Sequence, residues 1–335
     1  MFQRFNYMKK SISVKAMAAA TAMVLALTPC AAPRMCADTF EPFKYGNFDQ
    51  WVTRNIKESS IIGGNQKTLY EIGPTATING ASPYVSRGGS PWATSNVYAK
   101  VHGVVKGSNA VFPDAHGGGK CVKLTTIMEH CKALGIINID VLVAGSIFLG
   151  RIIEPVTSTN NPYAKMEMGI PFTRRPKALR FDYKVSMPAN SDRIYSSGFG
   201  KKKTYKGHDS AEVYVLLQRR WEDADGNLYA KRVGTGRERY GASTSGWVSG
   251  HTIPIRYGDI STQPGYKSYM GLIPAEKSYY ARNSKGKMVP VKEVGWDDPD
   301  ATPTHILVMA SAGSGNAYIG TLGLTLWVDN MGLVY

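Results

Sequence analysis

Short runs of alternating apolar and polar residues dominate the chain. In LRFDYKV (179–185), Leu179, Phe181, Tyr183 and Val185 alternate with Arg180, Asp182 and Lys184. In AEVYVLLQRRW (211–221), Ala211, Val213, Val215 and Leu217 share one face. Period-two alternation marks a strand with one buried face. THILVMASA (304–312) is apolar on both faces, as a strand in the middle of a sandwich would be. CVKLTT reads as a strand with Cys121 beside apolar neighbours. WEDADGNLYAKRV (221–233) reads as two strands joined at Asp225-Gly226-Asn227, a strong hairpin signal. IINIDVLVAGSIFLGRI (136–152) reads as a second hairpin, turning at Ala144-Gly145. In the closing stretch, Leu324, Leu326 and Val328 fall on one face and Thr325, Trp327 and Asp329 on the other. A final strand without a partner leaves an open edge, so this one is expected to close a sheet.

Helical patterns are few. FDQWVTRNIKE near residue 50 and IMEHCKAL near residue 130 are the two short candidates. Many short strands without βαβ alternation predict an all-β fold, a β-sandwich or jelly roll. No linker or internal repeat divides residues 38–335, which are read as a single large domain with long loops. The polar stretches 80–96, 188–210 and 257–303 are those loops.

Residues 1–37 read differently. Lys9, Lys10 and Lys15 precede the apolar run AMAAATAMVLAL (16–27), and small residues follow up to Ala37. This is the pattern of a secretory signal peptide, too short for a membrane span. Cleavage after Ala37 is expected. Cys30 in LTPC raises lipidation, but Pro29 stands where a lipobox wants a small residue. No second long apolar segment exists, so the protein is expected to be exported: periplasmic, at the cell surface or secreted.

Of the 40 Lys and Arg, five lie in residues 1–37, together with none of the 25 acidic residues; the remaining 35 against 25 leave a net charge of +10. Export argues against nucleic acid and turns that charge toward anionic surfaces or acidic polysaccharides. Two cysteines remain, Cys121 and Cys131, which either form a disulfide or stand as thiols.

Several chemistries fail on their motifs. GGGK (117–120) is followed by Cys121 where a P-loop needs Ser or Thr, and a Gly-rich turn before a strand explains it. No HExxH or GxSxG is present. Glycoside hydrolysis needs two carboxyls across one sugar bond. Glu222, Asp223 and Asp225 are explained by the hairpin, and Asp297, Asp298 and Asp300 by an acidic turn beside Trp296, so no catalytic residue is assigned. Sugar recognition is better supplied, because aromatic rings in loops and at strand ends can stack on pyranose faces. Trp92, Trp221, Tyr240 and Trp247 are the candidate platforms, expected to include at least one true platform ring, and the loop tyrosines Tyr257, Tyr266, Tyr269, Tyr279 and Tyr280 add further aromatic surface. RERY alternates Arg237 and Arg239 toward one face as their polar partners.

GNFDQW, PWATSN, GGGKCVKL, AGSIFLG, IPFTRRPKALRFDYKVS, THILVMASAGSG and LWVDNMGLVY occur in that order. In this the chain resembles the putative carbohydrate metabolism domain (PCMD) family over most of residues 38–335, most strongly over 167–335. The resemblance implies an exported β-jelly roll similar to carbohydrate-binding modules, from polysaccharide-utilisation systems, with outer-membrane uptake proteins as partners. It also implies a structural calcium between the chain ends, held by Asp49, Asp329 and the carbonyl of Lys123, with Asn47 nearby. Carboxylates and carbonyls are the hard oxygen ligands calcium takes. The expectation is non-catalytic glycan capture. The alternatives are a glycoside hydrolase or lyase on the same fold, and a surface adhesin or structural protein.

Overall fold

The computed structural model describes residues 38–133, 137–189, 191–198 and 200–335. The expected signal peptide, residues 1–37, lies outside them. Residues 38–335 form one compact unit, an all-β sandwich as expected. Among the described residues no helix is long and apolar enough to cross a membrane.

The first sheet runs in the order Ser197–Gly198, Ile137–Ala144, Gly119–Ala133, Thr325–Val334, Ala178–Ser186, Val248–Pro254. The closing strand Thr325–Val334 is central, not peripheral. It pairs with Gly119–Ala133 and Ala178–Ser186, and the short strand Phe40–Pro42 also adds to it. Leu324, Leu326 and Val328 are fully buried between the sheets, as the alternation predicts. At Asn330, φ is +49°, a left-handed kink beside a register shift. The extra residue turns Met331 and Leu333 inward too.

The second sheet is built on the hairpin Ala211–Glu222 and Leu228–Tyr240. Its turn forms at the expected place: Asp223 Oδ1 accepts the N–H groups of Asp225 and Asn227, and Gly226 supplies the positive φ of +87°. Ala211, Val213, Val215 and Leu217 all face the inner core. His305–Ser311 flanks the hairpin on one side and Met288–Trp296 on the other. The pairing then continues through Tyr280–Arg282, Met166–Met168 and Ser146–Ile152, which returns to His305–Ser311. The sheet therefore closes into a ring. The ring has an apolar interior of its own, with Phe148, Met168, Tyr214, Leu216 and Leu307 buried there. This explains why THILVMASA is apolar on both faces: Ile306 and Val308 fill the inter-sheet core, and Leu307 the ring.

Two expectations are corrected. FDQWVTRNIKE contributes the strand Trp51–Lys57, and the described part of IMEHCKAL belongs to Gly119–Ala133. Arg54 is the reason for the first error. It occupies a buried position between Val52 and Ile56, where an apolar residue would have shown the period of two. The supposed hairpin at Ala144-Gly145 is a corner. Ile137–Ala144 pairs in the first sheet and Ser146–Ile152 in the second. A Cβ on Gly145 would lie 2.2 Å from the carbonyl oxygen of Ala110, so only glycine lets the backbones approach this closely. Of the two alternatives open for the cysteines the second holds: Cys121 and Cys131 are separate free thiols. Ten residues of one strand hold them about 33 Å apart, beyond the reach of a disulfide.

Candidate functional site

The mouth of the ring opens into a groove of about 1270 Å³. Alternation along Leu228–Tyr240 puts Arg237 and Arg239 on its floor, opposite Tyr214 and Glu212 in cross-strand register. Both oxygens of Glu212 accept from Arg237, through Nε and Nη2 at 2.9 Å each. Arg239 Nε donates to the same Glu212 at 2.7 Å, and its Nη2 to the Ser314 carbonyl at 2.9 Å. The Glu212 side chain is 7 % exposed, Arg237 15 % and Arg239 30 %, so Arg239 is the member that reaches the open groove. Its guanidinium lies 4.5 Å from the ring centre of Tyr269, and that of Arg237 5.0 Å from Tyr214.

Beside the arginines the Tyr214 hydroxyl donates to that of Tyr279 at 2.6 Å. Burial holds Tyr214 well above the ordinary phenol range, and pushes Tyr279 up to about 12. Both phenols therefore stay neutral and act in hydrogen bonding. Burial alone would depress Arg237, but the Glu212 carboxylate outweighs it and pushes Arg237 up. The floor is a fixed array of two guanidinium forks, one carboxylate and a phenol pair. The described acidic residues that line the groove are Glu129 and Glu212. Glu129 is held by Lys67 at 3.2 Å, as Glu212 is held by the arginines. Both carboxyls that line the groove are thus paired with cations.

The sequence candidates fall in five places. Arg237 and Arg239 share the groove. Trp92 does not present a ring: it is 1 % exposed, edge-on to Phe43 and Phe48, and its Nε1 donates to the Lys44 carbonyl. Tyr240 points away from Arg239 toward the inner core and stacks on Tyr183 at 4.5 Å. Its hydroxyl donates to Glu238. Trp247 stacks on His116 at 3.7 Å, on the outer side of the first sheet. Trp221 is 40 % exposed and stacks on Tyr229 at the turn end of the hairpin. The groove residues that the sequence reading missed are Glu212 and Tyr214, whereas Tyr269 and Tyr279 stood out as aromatics of the loop 257–303. Glu212 carried a signal of its own, as the single charge in the otherwise apolar AEVYVLL.

The other acidic groups have structural work. Asp297 takes a bidentate pair from Arg219 at 2.6 and 2.8 Å, which holds its carboxyl below the ordinary range. Glu222 accepts from Ser284.

The oxygens expected to hold calcium have protein partners. Asp49 Oδ1 accepts from the Lys120 N–H and its Oδ2 from Asn47. Asp329 Oδ2 faces His116 Nδ1 at 2.6 Å, and its Oδ1 accepts from the Asn330 N–H. Lys123 pairs with Phe112 on one side and Trp327 on the other, so its carbonyl is aimed into a ladder. Among the described residues no group of three or more His, Cys, Asp or Glu is placed to hold a metal. These residues do not fit the ion.

A family model described as "putative carbohydrate metabolism domain" matches residues 65–244, more than half of the chain. The chain belongs to this family. The match ends at 244, so the expectation of greatest likeness over 167–335 is not how the PCMD model falls. It takes in Glu212, Tyr214, Arg237 and Arg239; Tyr269 and Tyr279 come from beyond it. No curated protein matches the chain. Among solved structures, a putative glycoside hydrolase from Bacteroides thetaiotaomicron is similar at 16 % identity and a TM-score of 0.41, covering 81 % of this chain and 75 % of its own. One from Bacteroides vulgatus is similar at 14 % and 0.40, covering 88 % and 94 %. A cellulose-specific carbohydrate-binding module is similar at 9 % and 0.26, covering 74 % and 90 %. At such scores these likenesses carry no weight for the activity of the PCMD chain.

Proposed function

We propose that this PCMD protein is an exported, non-catalytic glycan-capture protein of a polysaccharide-utilisation system, and that the groove at the mouth of the ring is its binding site. One observation carries the reading. The groove offers fixed hydrogen-bonding groups and aromatic surface, while the carboxylates that line it, Glu129 and Glu212, are neutralised by cations. Such a floor can read hydroxyls and ring faces without supplying a free acid and base. Its size exceeds the roughly 300–1,000 Å³ that suits a drug-sized ligand and leaves room for several sugar units. The outer-membrane uptake partners belong to the same proposal.

The test is a polysaccharide array with the purified protein, read for retention and for released reducing sugar. Retention without release is the expected result. Release of sugar would favour the hydrolase or lyase. Neither retention nor release on any glycan would sink capture and favour the adhesin.

A further inference from the structure

The groove is unbalanced in charge. Its lining includes Lys106, Lys165, Lys277, Arg237 and Arg239, against the carboxylates of Glu129 and Glu212. Lys106 is partly committed, at 3.0 Å from Glu58 and 3.8 Å from Glu129. Lys165 and Lys277 make no ion pair among the described residues. On the floor, two guanidinium groups share a single carboxylate. Glu212 spends both oxygens on Arg237, and Arg239 has only one of those oxygens as a charged partner. Arg239 is also the more exposed of the two, and Tyr269 backs it on one side.

Resting on the capture reading, we propose that the groove takes an anionic polysaccharide, one that carries a carboxylate or a sulfate ester on its sugars, with Arg239 as the principal anion contact. The physical ground is the fork geometry. A planar guanidinium held in place by Glu212 and Ser314 loses little freedom on meeting an anion, and charge-assisted hydrogen bonds are about twice as strong as neutral ones. Concave walls of one sign also concentrate the field and draw in an oppositely charged chain. A neutral glycan would leave the surplus cations without a counterpart.

The experiment uses two matched pairs of polymers: polygalacturonate with its methyl ester, and dextran sulfate with dextran. Affinity is measured for the unaltered protein, for R239Q and R239K, and for K201Q, which removes the same charge from an exposed site outside the groove. Glu212 keeps Arg237 in R239Q, so the fold should survive; an unchanged Tm confirms this. The expected result is tight binding of one charged polymer and weak binding of its neutral match. R239Q should lose about 10- to 100-fold, the span of one charged hydrogen bond. R239K should lose less, and K201Q less than about twofold. The preferred charged polymer identifies carboxylate or sulfate as the anion. Equal binding of charged and neutral matches overturns the inference and leaves capture standing. Equal losses in R239Q and K201Q also overturn it, as attraction to the whole basic surface. A neutral glycan retained on the array while neither charged polymer binds overturns it as well.

Discussion

Burial decides what individual side chains can do here, and two tryptophans illustrate the range. Trp92 is packed edge-on between Phe43 and Phe48; Trp221 lies in the open on Tyr229. Trp92→Ala should therefore cost about 3–5 kcal/mol of stability, while Trp221→Ala should stay within about 0.5 kcal/mol. Urea unfolding of both variants checks this, and equal costs would contradict the placement. His305 adds a pH effect. Burial, helped by the neighbouring Arg220, depresses its imidazole from 6.5 to about 4. The fold thus keeps His305 neutral where the unfolded chain would protonate it. Its contribution is full above pH 6.5 and is lost as pH falls from 6.5 toward 4. His305→Gln should flatten the decline of the urea midpoint between pH 6.5 and 5. An unchanged slope would assign that decline to other groups.

At the level of elements, Arg54 ties the strand Trp51–Lys57 to the strand Gln66–Ile72 and to the bend that follows Ser146–Ile152. It donates to Glu71 at 2.7 Å and to Glu154 at 2.7 Å, with all three side chains 5 % exposed or less. Two carboxylates share one guanidinium. Burial, with Glu154 nearby, pushes the Glu71 carboxyl up to about 8 against the pull of Arg54. A raised folded pKa stabilises below the ordinary glutamate range and is lost as pH rises through about 8. Glu71→Gln should remove that alkaline loss, whereas Arg54→Met should cost about 3–5 kcal/mol by stranding buried charge. Thermal melts from pH 6 to 9 separate the two. The same arginine marks where reading by alternation stops working. LRFDYKV, AEVYVLL and the Asp225-Gly226-Asn227 turn were legible because one face is apolar and local chemistry sets the turn. A buried Arg54 looks exposed in sequence, and the corner at Gly145 looks like a hairpin because sheet membership depends on distant strands. The groove was half legible for the same reason. RERY shows that Arg237 and Arg239 share a face, but Glu212 and Tyr214 lie on a neighbouring strand. Tyr269 and Tyr279 come from the segment 257–303, placed only once the ring closes.

For the whole molecule, the central question is what joins the two ends of residues 38–335. Phe40–Pro42 pairs with Thr325–Val334, and Thr39 and Tyr335 exchange backbone hydrogen bonds. Arg174 spans to Glu41 and stacks 3.8 Å over Tyr335. Backbone pairing and side-chain packing thus join the two ends, and the oxygens of Asp49 and Asp329 already have protein donors. This makes a clear thermal prediction. A structural ion present at about 100 times its Kd would contribute about 2.7 kcal/mol. With about 2.1 cal/mol/K of unfolding entropy per residue, each kcal/mol moves the Tm of a unit of this size by about 1.6 °C. Removing such an ion should therefore lower Tm by roughly 4 °C. The arrangement of donors predicts that EDTA leaves Tm within about 1 °C, in unaltered protein and in Asp49→Asn alike. A fall of several degrees, restored by calcium and absent from Asp49→Asn, would mean that Asp49 releases Lys120 and Asn47 to take the metal. The chain ends would then depend on an ion after all.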